Sequence, residues 1–290
     1  MTARERNDAF PHDMTPPLAI LSTKVLGWEA RGYAHDQGWT LLEEEFIELR
    51  SLFNDWLTSY DGLEKHFSHQ RQAETFQNFS RLSDSLRTMD DSGIVVFTSE
   101  NGVKYLPWHR LEPFYHPNVK PLRTLPGTVN LWRVACLEGR TLTAALERLR
   151  EEQIVCTARN GQELAERIIG TGRFTKVFFF SAREHRPELT DTLNAAGIDV
   201  VDIPVYETIG KPKVIDTPYD GVLFFSPSAV ESFFQLNQLP PKAVCFAIGQ
   251  TTAGTIKDYT DARIIVSETP SQEALLACVR FYFDNQQCYE

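Results

Sequence analysis

Apolar residues in this chain gather in short, β-prone runs, and stretches of helical spacing separate them. The first run, Leu18–Leu21, ends at Ser22-Thr23-Lys24, and the segment from Trp28 to Gln37 has helical character until Gly38 stops it. A strand follows Gly38. From Ser51 to Thr88, aromatic and aliphatic residues recur at roughly helical spacing among polar ones, as in Phe67, Phe76, Phe79, Leu82 and Leu86, which predicts helix and loop. Further strands are predicted at Ile94–Phe97, Leu131–Cys136, Ile154–Thr157, Val177–Ser181, Val200–Val205, Val222–Phe225, Val244–Ile248 and Ile264–Val266. Nearly every gap between them has room for one helix, the signature of an α/β protein with parallel, doubly wound sheets.

Two of these strands end in hydroxyl residues where a helix begins. Val222-Leu-Phe-Phe225 runs into Ser226-Pro-Ser-Ala-Val230, and Ala243-Val-Cys-Phe-Ala-Ile248 runs into Gly249-Gln-Thr-Thr252. Ser226, Ser228, Thr251 and Thr252 can each cap backbone N–H groups or serve a ligand, and a helix N-terminus favours negative charge. The pair reads as an anion-binding edge.

The same pattern stands upstream. Ile94-Val-Val-Phe-Thr-Ser-Glu-Asn-Gly-Val103 lines up with Val222 to Val230, and Val134-Ala-Cys-Leu-Glu-Gly-Arg-Thr141 more loosely with Phe246 to Thr252. Ala158 to Leu164 resembles Thr269 to Leu275, and Gly38 to Ile47 resembles Gly197 to Tyr206. An internal duplication of an α/β unit explains this order.

With 290 residues, 42% of them hydrophobic and 11% aromatic, the chain suits two soluble domains. Met1 to Pro17 is polar, carries Pro11, Pro16 and Pro17, and lacks the apolar core of a signal peptide, so a flexible tail is expected. No run is long or apolar enough to span a membrane. Cys136, Cys156, Cys245, Cys278 and Cys288 show no Cys-x-x-Cys spacing, which suits reduced thiols in a cytoplasmic protein. The formal charge of −10 argues against a nucleic-acid partner held through phosphates. It does not exclude an anionic small ligand, because oriented N–H groups act locally. Among His12, His35, His66, His69, His109, His116 and His185, only His66-x-x-His69 has a metal-like spacing, and a polar surface helix accounts for it.

Phe97-Thr-Ser-Glu-Asn-Gly-Val103, Pro204-Val-Tyr-Glu-Thr208, Phe225-Ser-Pro-Ser-Ala-Val230, Ile248-Gly-Gln-Thr-Thr252 and Thr269-Pro-Ser-Gln-Glu-Ala-Leu275, in this order, resemble the uroporphyrinogen-III synthases, the cyclases of tetrapyrrole biosynthesis. The resemblance covers nearly all of Leu18 to Phe283. It implies two flavodoxin-like domains facing across a cleft, one formed by residues 18–42 plus 209–290 and the other by 51–201. Residues 43–50 and 202–208 would be extended linkers. The implied reaction closes the linear tetrapyrrole hydroxymethylbilane to uroporphyrinogen III with loss of water and inversion of the last pyrrole, without cofactor or metal. The enzyme would be a monomer, in transient contact at most with hydroxymethylbilane synthase.

Under this resemblance Tyr206 is the catalytic candidate, helping the hydroxyl to depart. Ser226, Ser228, Gly249, Thr251 and Thr252, with Thr98, Ser99, Asn101 and Gly102, form the substrate-binding set. Thr23 and Lys24 stand where the family usually has threonine and arginine, and lysine loses the bidentate fork. In Glu138-Gly-Arg-Thr141 the glycine is displaced by one while Thr141 is kept; Arg140, Arg183 or Arg186 would add positive charge. Two other readings stay open: a hinged two-domain anion-binding protein, and a degenerate synthase-like regulatory protein.

Overall fold

The computed structural model describes residues 17–53, 69–111, 129 and 132–285. Of the residues singled out above, Met1 to Pro16, Phe67, Leu131, His12, His66, His116 and Cys288 lie outside them, as do the side chains of His69, Phe76, Phe79 and His109. The chain divides into two compact α/β units, one from Met1–Glu48 and Ile209–Glu290, the other from Leu49–Thr208.

In chain order the first half contains β1 (Ala19–Ser22), α1 (Trp28–Asp36), β2 (Thr40–Glu43), β3 (Ile47–Ser51), α2 (His69–Arg87), β4 (Gly93–Phe97), α3 (Glu100–Lys104), α4 (Trp108–Leu111), β5 (Val134–Leu137), α5 (Arg140–Leu146), β6 (Ile154–Ala158) and α6 (Gly161–Gly170). The second half contains β7 (Lys176–Ala182), α7 (Glu188–Ala195), β8 (Asp199–Gly210), β9 (Gly221–Phe224), α8 (Pro227–Phe234), β10 (Val244–Ala247), α9 (Gln250–Lys257), β11 (Ile264–Val266) and α10 (Gln272–Asp284). Each strand of the sequence reading has its counterpart.

One sheet has the order β11-β10-β9-β1-β2 and is parallel throughout. The other has the order β3-β8-β7-β4-β5-β6, with β8 through β6 parallel. Setting β3 aside, the two orders follow one plan: β2-β1-β9-β10-β11 corresponds to β8-β7-β4-β5-β6. The duplicated halves have therefore exchanged their openings. The β1-α1-β2 start of the first half completes the sheet of β9 to β11, and the β7-α7-β8 start of the second completes that of β4 to β6. In the first sheet this gives the order 2-1-3-4-5 of an open doubly wound sheet.

Strands β4, β9 and β10 are buried along their whole length, which explains their unbroken apolar sequence: helices cover both faces. Alternation sorts the side chains. Val95 and Phe97 enter one core cluster, with Phe180 and Trp132, while Ile94 and Val96 enter another, with Leu164 and Ile168 from α6. The Phe180 ring stacks on Phe97 at 5.5 Å and on Trp132 at 5.7 Å between centroids. All three rings are buried.

The segments read as extended linkers fall largely within strands. Ile47–Ser51 is β3, and β8 continues to Gly210 in one twelve-residue strand. β3 and β8 are neighbours in the sheet, with the Leu52 amide donating to the Val205 carbonyl at 3.0 Å. Pairing satisfies main-chain groups that a bare connection would leave to water. Among the described cysteines, Cys136, Cys156, Cys245 and Cys278 are free thiols. Burial pushes Cys136 up to about 11 and Cys245 up to about 12, so neither carries thiolate near neutral pH.

Candidate functional site

In an open α/β sheet, ligands bind beyond the carboxyl ends of the strands, where the strand order reverses. That point lies between β7 and β4 in one unit, and between β1 and β9 in the other. Thr98 and Ser99 follow β4 directly, Arg183 follows β7, Thr23 and Lys24 follow β1, and Ser226 comes soon after β9. These residues thus fall at the two switch points, while Gly249, Thr251 and Thr252 follow β10, Thr141 follows β5, and Tyr206 lies on β8.

In the unit of Leu49–Thr208, Ser99 caps α3, its Oγ accepting from the Asn101 amide at 3.0 Å. The same oxygen lies 3.2 Å from the Tyr206 hydroxyl. A register shift in β8 holds Tyr206 there. Ser181 pairs with Pro204 but Ala182 pairs with Tyr206, so Val205 bulges. Without the bulge, consecutive residues would face opposite sides; with it, Val205 and Tyr206 both join the core cluster that contains Phe97 and Phe180. The Tyr206 ring stacks on Tyr105 at 5.6 Å and is 8% exposed. One face of the phenol is therefore fixed by packing, and its hydroxyl by Ser99.

Arg183 is tied to the same strand. Its amide donates to the Tyr206 carbonyl at 2.8 Å, and its Nε lies 3.0 Å from Glu207 Oε2. The other oxygen of Glu207 accepts from Arg50 on β3, through Nε at 2.6 Å and through Nη2. Sequence reasoning missed Arg50, Glu207 and Tyr105. Arg50 and Glu207 stand 157 residues apart, and only the pairing of β3 with β8 joins them.

Close by on β8, Asp202 accepts from Ser181 Oγ at 2.5 Å and lies 2.8 Å from His185 Nε2, while His185 Nδ1 meets the Arg186 carbonyl at 3.1 Å. Both ring nitrogens face oxygens, and only the imidazolium donates to both. Burial works against its charge, but the Asp202 and Arg186 hydrogen bonds outweigh burial and raise the pKa above 6.5. His185⁺ therefore contributes stability that is complete below the unfolded value and fades as pH rises through the raised folded value. His185→Gln is expected to lower the melting temperature more in mildly acidic than in alkaline buffer; equal losses would show that the charge contributes nothing.

Gly102 and Thr141 have structural accounts. A Cβ at Gly102 would sit 2.7 Å from the Phe180 carbonyl oxygen, so the glycine lets α3 close on β7. Thr141 is buried in α5. Sheet register explains the altered motif before it. Phe97 pairs with Cys136 and Phe224 with Ala247, which makes Thr141 the counterpart of Thr252, and Glu138 that of Gly249. In this unit the helix starts later, at the N-cap Gly139, whose φ of 70° demands glycine. Asn101 lies in α3 and Thr98 in the turn before it, both half-buried.

In the other unit, Ser226 caps α8, accepting from the Ala229 amide at 3.2 Å. Capping uses a lone pair and leaves the O–H to donate. Ser228 is half-buried in the first turn of α8; Thr251 is exposed and Thr252 buried in the first turn of α9. The Thr23 hydroxyl is buried and donates to the Leu223 carbonyl at 2.8 Å, so its role is to tie β1 to β9. Lys24 Nζ sits 4.4 Å from the Phe225 ring centroid. Gly249 differs from Gly102: its φ of −178° is ordinary extended backbone, and a Cβ there would meet nothing within 4 Å. Neither conformation nor packing calls for glycine at that strand end.

Fold and site together define a duplicated, doubly wound α/β protein with hydroxyl residues at both switch points. The uroporphyrinogen-III synthase (HemD) family model matches residues 70–277, and the chain belongs to that family. Comparison with curated protein sequences gives no match. Among solved structures, a mutant uroporphyrinogen III synthase from the extremely thermophilic bacterium Thermus thermophilus is similar at a TM-score of 0.56 and 12% identity, over 92% of this chain and 99% of that one. Uroporphyrinogen-III synthetase from Helicobacter pylori is similar at a TM-score of 0.53 and 16% identity, over 91% and 99%. Such identities speak for a shared fold. Among the described residues, no helix is long and apolar enough to cross a membrane, and no group of three His, Cys, Asp or Glu is placed to hold a metal ion.

Proposed function

We propose that this protein converts hydroxymethylbilane to uroporphyrinogen III, with loss of water and inversion of the last pyrrole ring, in the cytoplasm and without a cofactor. Family membership supports the tetrapyrrole pathway. The observation that carries the specific reaction is the Tyr206–Ser99 hydroxyl pair beyond β4, buttressed by the β8 bulge. Departure of the substrate hydroxyl needs a proton and leaves a reactive azafulvene. In this reading Tyr206 gives that proton, and a Ser99 O–H donated to the phenol oxygen, 3.2 Å away, offsets the negative charge that develops there. Ser99 does this without giving up its cap, since the Asn101 amide uses a lone pair.

Uncatalysed closure of the bilane gives the isomer with the last ring uninverted, so the larger task is to impose a fold on a flexible polyanion. Ser226, Ser228, Thr251 and the start of α9 offer hydroxyl and N–H donors to acetate and propionate groups. The deciding experiment is incubation with freshly made hydroxymethylbilane, then oxidation and separation of the I and III isomers. Isomer III is expected; isomer I alone, at the uncatalysed rate, would overturn the reading.

Gly249→Ala tests the bare strand end. The added Cβ destabilises the fold by about 1 kcal/mol at most, the usual penalty of an alanine N-cap. It should nevertheless raise KM several-fold, because the methyl occupies space left open for a carboxylate. An unchanged KM would leave Gly249 without a role in binding.

A further inference from the structure

We infer that Asp202 and His185 are positioning residues for Tyr206: they latch the loop after β7 onto β8 and so hold the bulge that turns the phenol toward Ser99. The inference rests on the proposed role of Tyr206 in the reaction. Strand pairing sets Phe179 beside Asp202 and Ser181 beside Pro204 on one face of the sheet, while Phe180 and Ile203 share the other, in the core cluster with Phe97. In a regular strand Tyr206 would follow Asp202 and Pro204 onto the first face. The extra residue, Val205, brings it round to the core beside Ser99 instead. A slip of one residue in the pairing would undo this, and register slips where nothing local fixes it.

Here the register is fastened on both sides of the bulge. Upstream, the Asp202 carboxylate is divided between two residues: Oδ1 accepts from Ser181 Oγ at 2.5 Å, and Oδ2 lies 2.8 Å from His185 Nε2. One side chain of β8 thereby holds both the end of β7 and the loop beyond it. Downstream, the Arg183 amide donates to the Tyr206 carbonyl at 2.8 Å. Arg183 stands between Ser181 and His185 in the chain, so both ends of this short stretch are held by Asp202 while its middle is held by Tyr206. Between Asp202 and Tyr206 lie Ile203, Pro204 and Val205, facing only Phe180 and Ser181 on β7, and the ties leave the extra residue nowhere else to go. Pro204 suits the place, because it has no N–H to lose from the ladder. The His185 ring also meets Phe179 edge-on at 5.0 Å, which keeps the latch on the face of β8 away from the phenol. With the Asp202 side chain 38% exposed, the pair adds only modestly to global stability. Its effect is local, on the register of one strand end.

The test combines amide hydrogen exchange, followed by NMR, with steady-state kinetics on hydroxymethylbilane. Asp202→Ala removes both ties at once; Asp199→Ala, which breaks the Lys176 pair at the other end of the same two strands, is the control. In Asp202→Ala the Arg183 amide should exchange about tenfold faster than in wild type, while the β4 amides keep their protection. Its kcat should fall about tenfold, the effect of a misplaced catalytic group, with KM within about twofold. His185→Ala should move both readouts the same way, and His185→Gln, which keeps an N–H donor, should recover part of the loss. In a Tyr206→Phe background Asp202→Ala should lower kcat no further, because both changes act through one hydroxyl. Asp199→Ala should match wild type throughout. Equal exchange of the Arg183 amide in wild type and Asp202→Ala overturns the latch, whether or not bilane is turned over. An active wild type in which Asp202→Ala leaves kcat unmoved, or lowers it as much with Tyr206→Phe as without, overturns the positioning role while the proposed reaction stands. If wild type turns over no bilane, that reaction fails, and the exchange result alone decides the latch: faster exchange sustains it. Should Asp202→Ala not fold, His185→Ala carries the same comparisons.

Discussion

Tyr206→Phe should slow formation of isomer III by up to about a hundredfold, the low end of what a positioned general acid contributes. The fold should survive, because the ring keeps its stacking on Tyr105 and its place in the core. What is lost is the hydroxyl contact with Ser99, about 1 kcal/mol for a net hydrogen bond, and Ser99 retains its amide partner. Circular dichroism and thermal melting should match wild type while turnover falls. Matching spectra with unchanged turnover would show that the phenol oxygen takes no part, and departure of the hydroxyl would then depend on another donor.

Phe180→Ala is expected to have the largest effect on stability, about 3–5 kcal/mol, the usual range for deleting a buried phenylalanine. Phe180 is 1% exposed and stacks between Phe97 and Trp132. Its carbonyl also bounds the space into which α3 closes at Gly102. Chemical denaturation should show a lowered midpoint at an unchanged slope. A loss below about 1 kcal/mol would contradict the close packing of these rings.

The sequence makes the strands legible for a physical reason. Val222–Phe224 and Ile94–Phe97 are buried on both faces, so their burial is written as unbroken apolar runs. Ser99 and Ser226 are legible too, because a hydroxyl before a helix is a local signal, and both do cap. Register is not local. Nothing in the spacing of Arg50 and Glu207 announces their contact, which depends on how β3 and β8 pair. The Val205 bulge decides which side Tyr206 faces; Pro204 before it is the one local mark, and that reads as a bulge only once pairing shows β8 to be an interior strand. Thr23 shows the converse: its type and place suggested a ligand, while its hydroxyl is engaged by the Leu223 carbonyl. Gly139 resolves the displaced glycine, since the helix start moved with it.

The exchange of openings between the two halves imposes an order of assembly as the chain leaves the ribosome. Strands β4 to β7 and all but the last two residues of β8 lie within Leu49–Thr208, and they can close their sheet once that stretch has emerged. The earlier strand β1 has no such freedom, because its other neighbour, β9, begins only at Gly221. Until then the β1-α1-β2 segment carries an open, apolar strand edge, Ile20 and Leu21 included, while nearly two hundred further residues are synthesised. Late, non-local closure of this kind is slow and exposes strand edges to other chains. Among the described strands the earliest to be made is thus among the last to be sheltered, and the nascent chain is open to aggregation or chaperone capture along that edge.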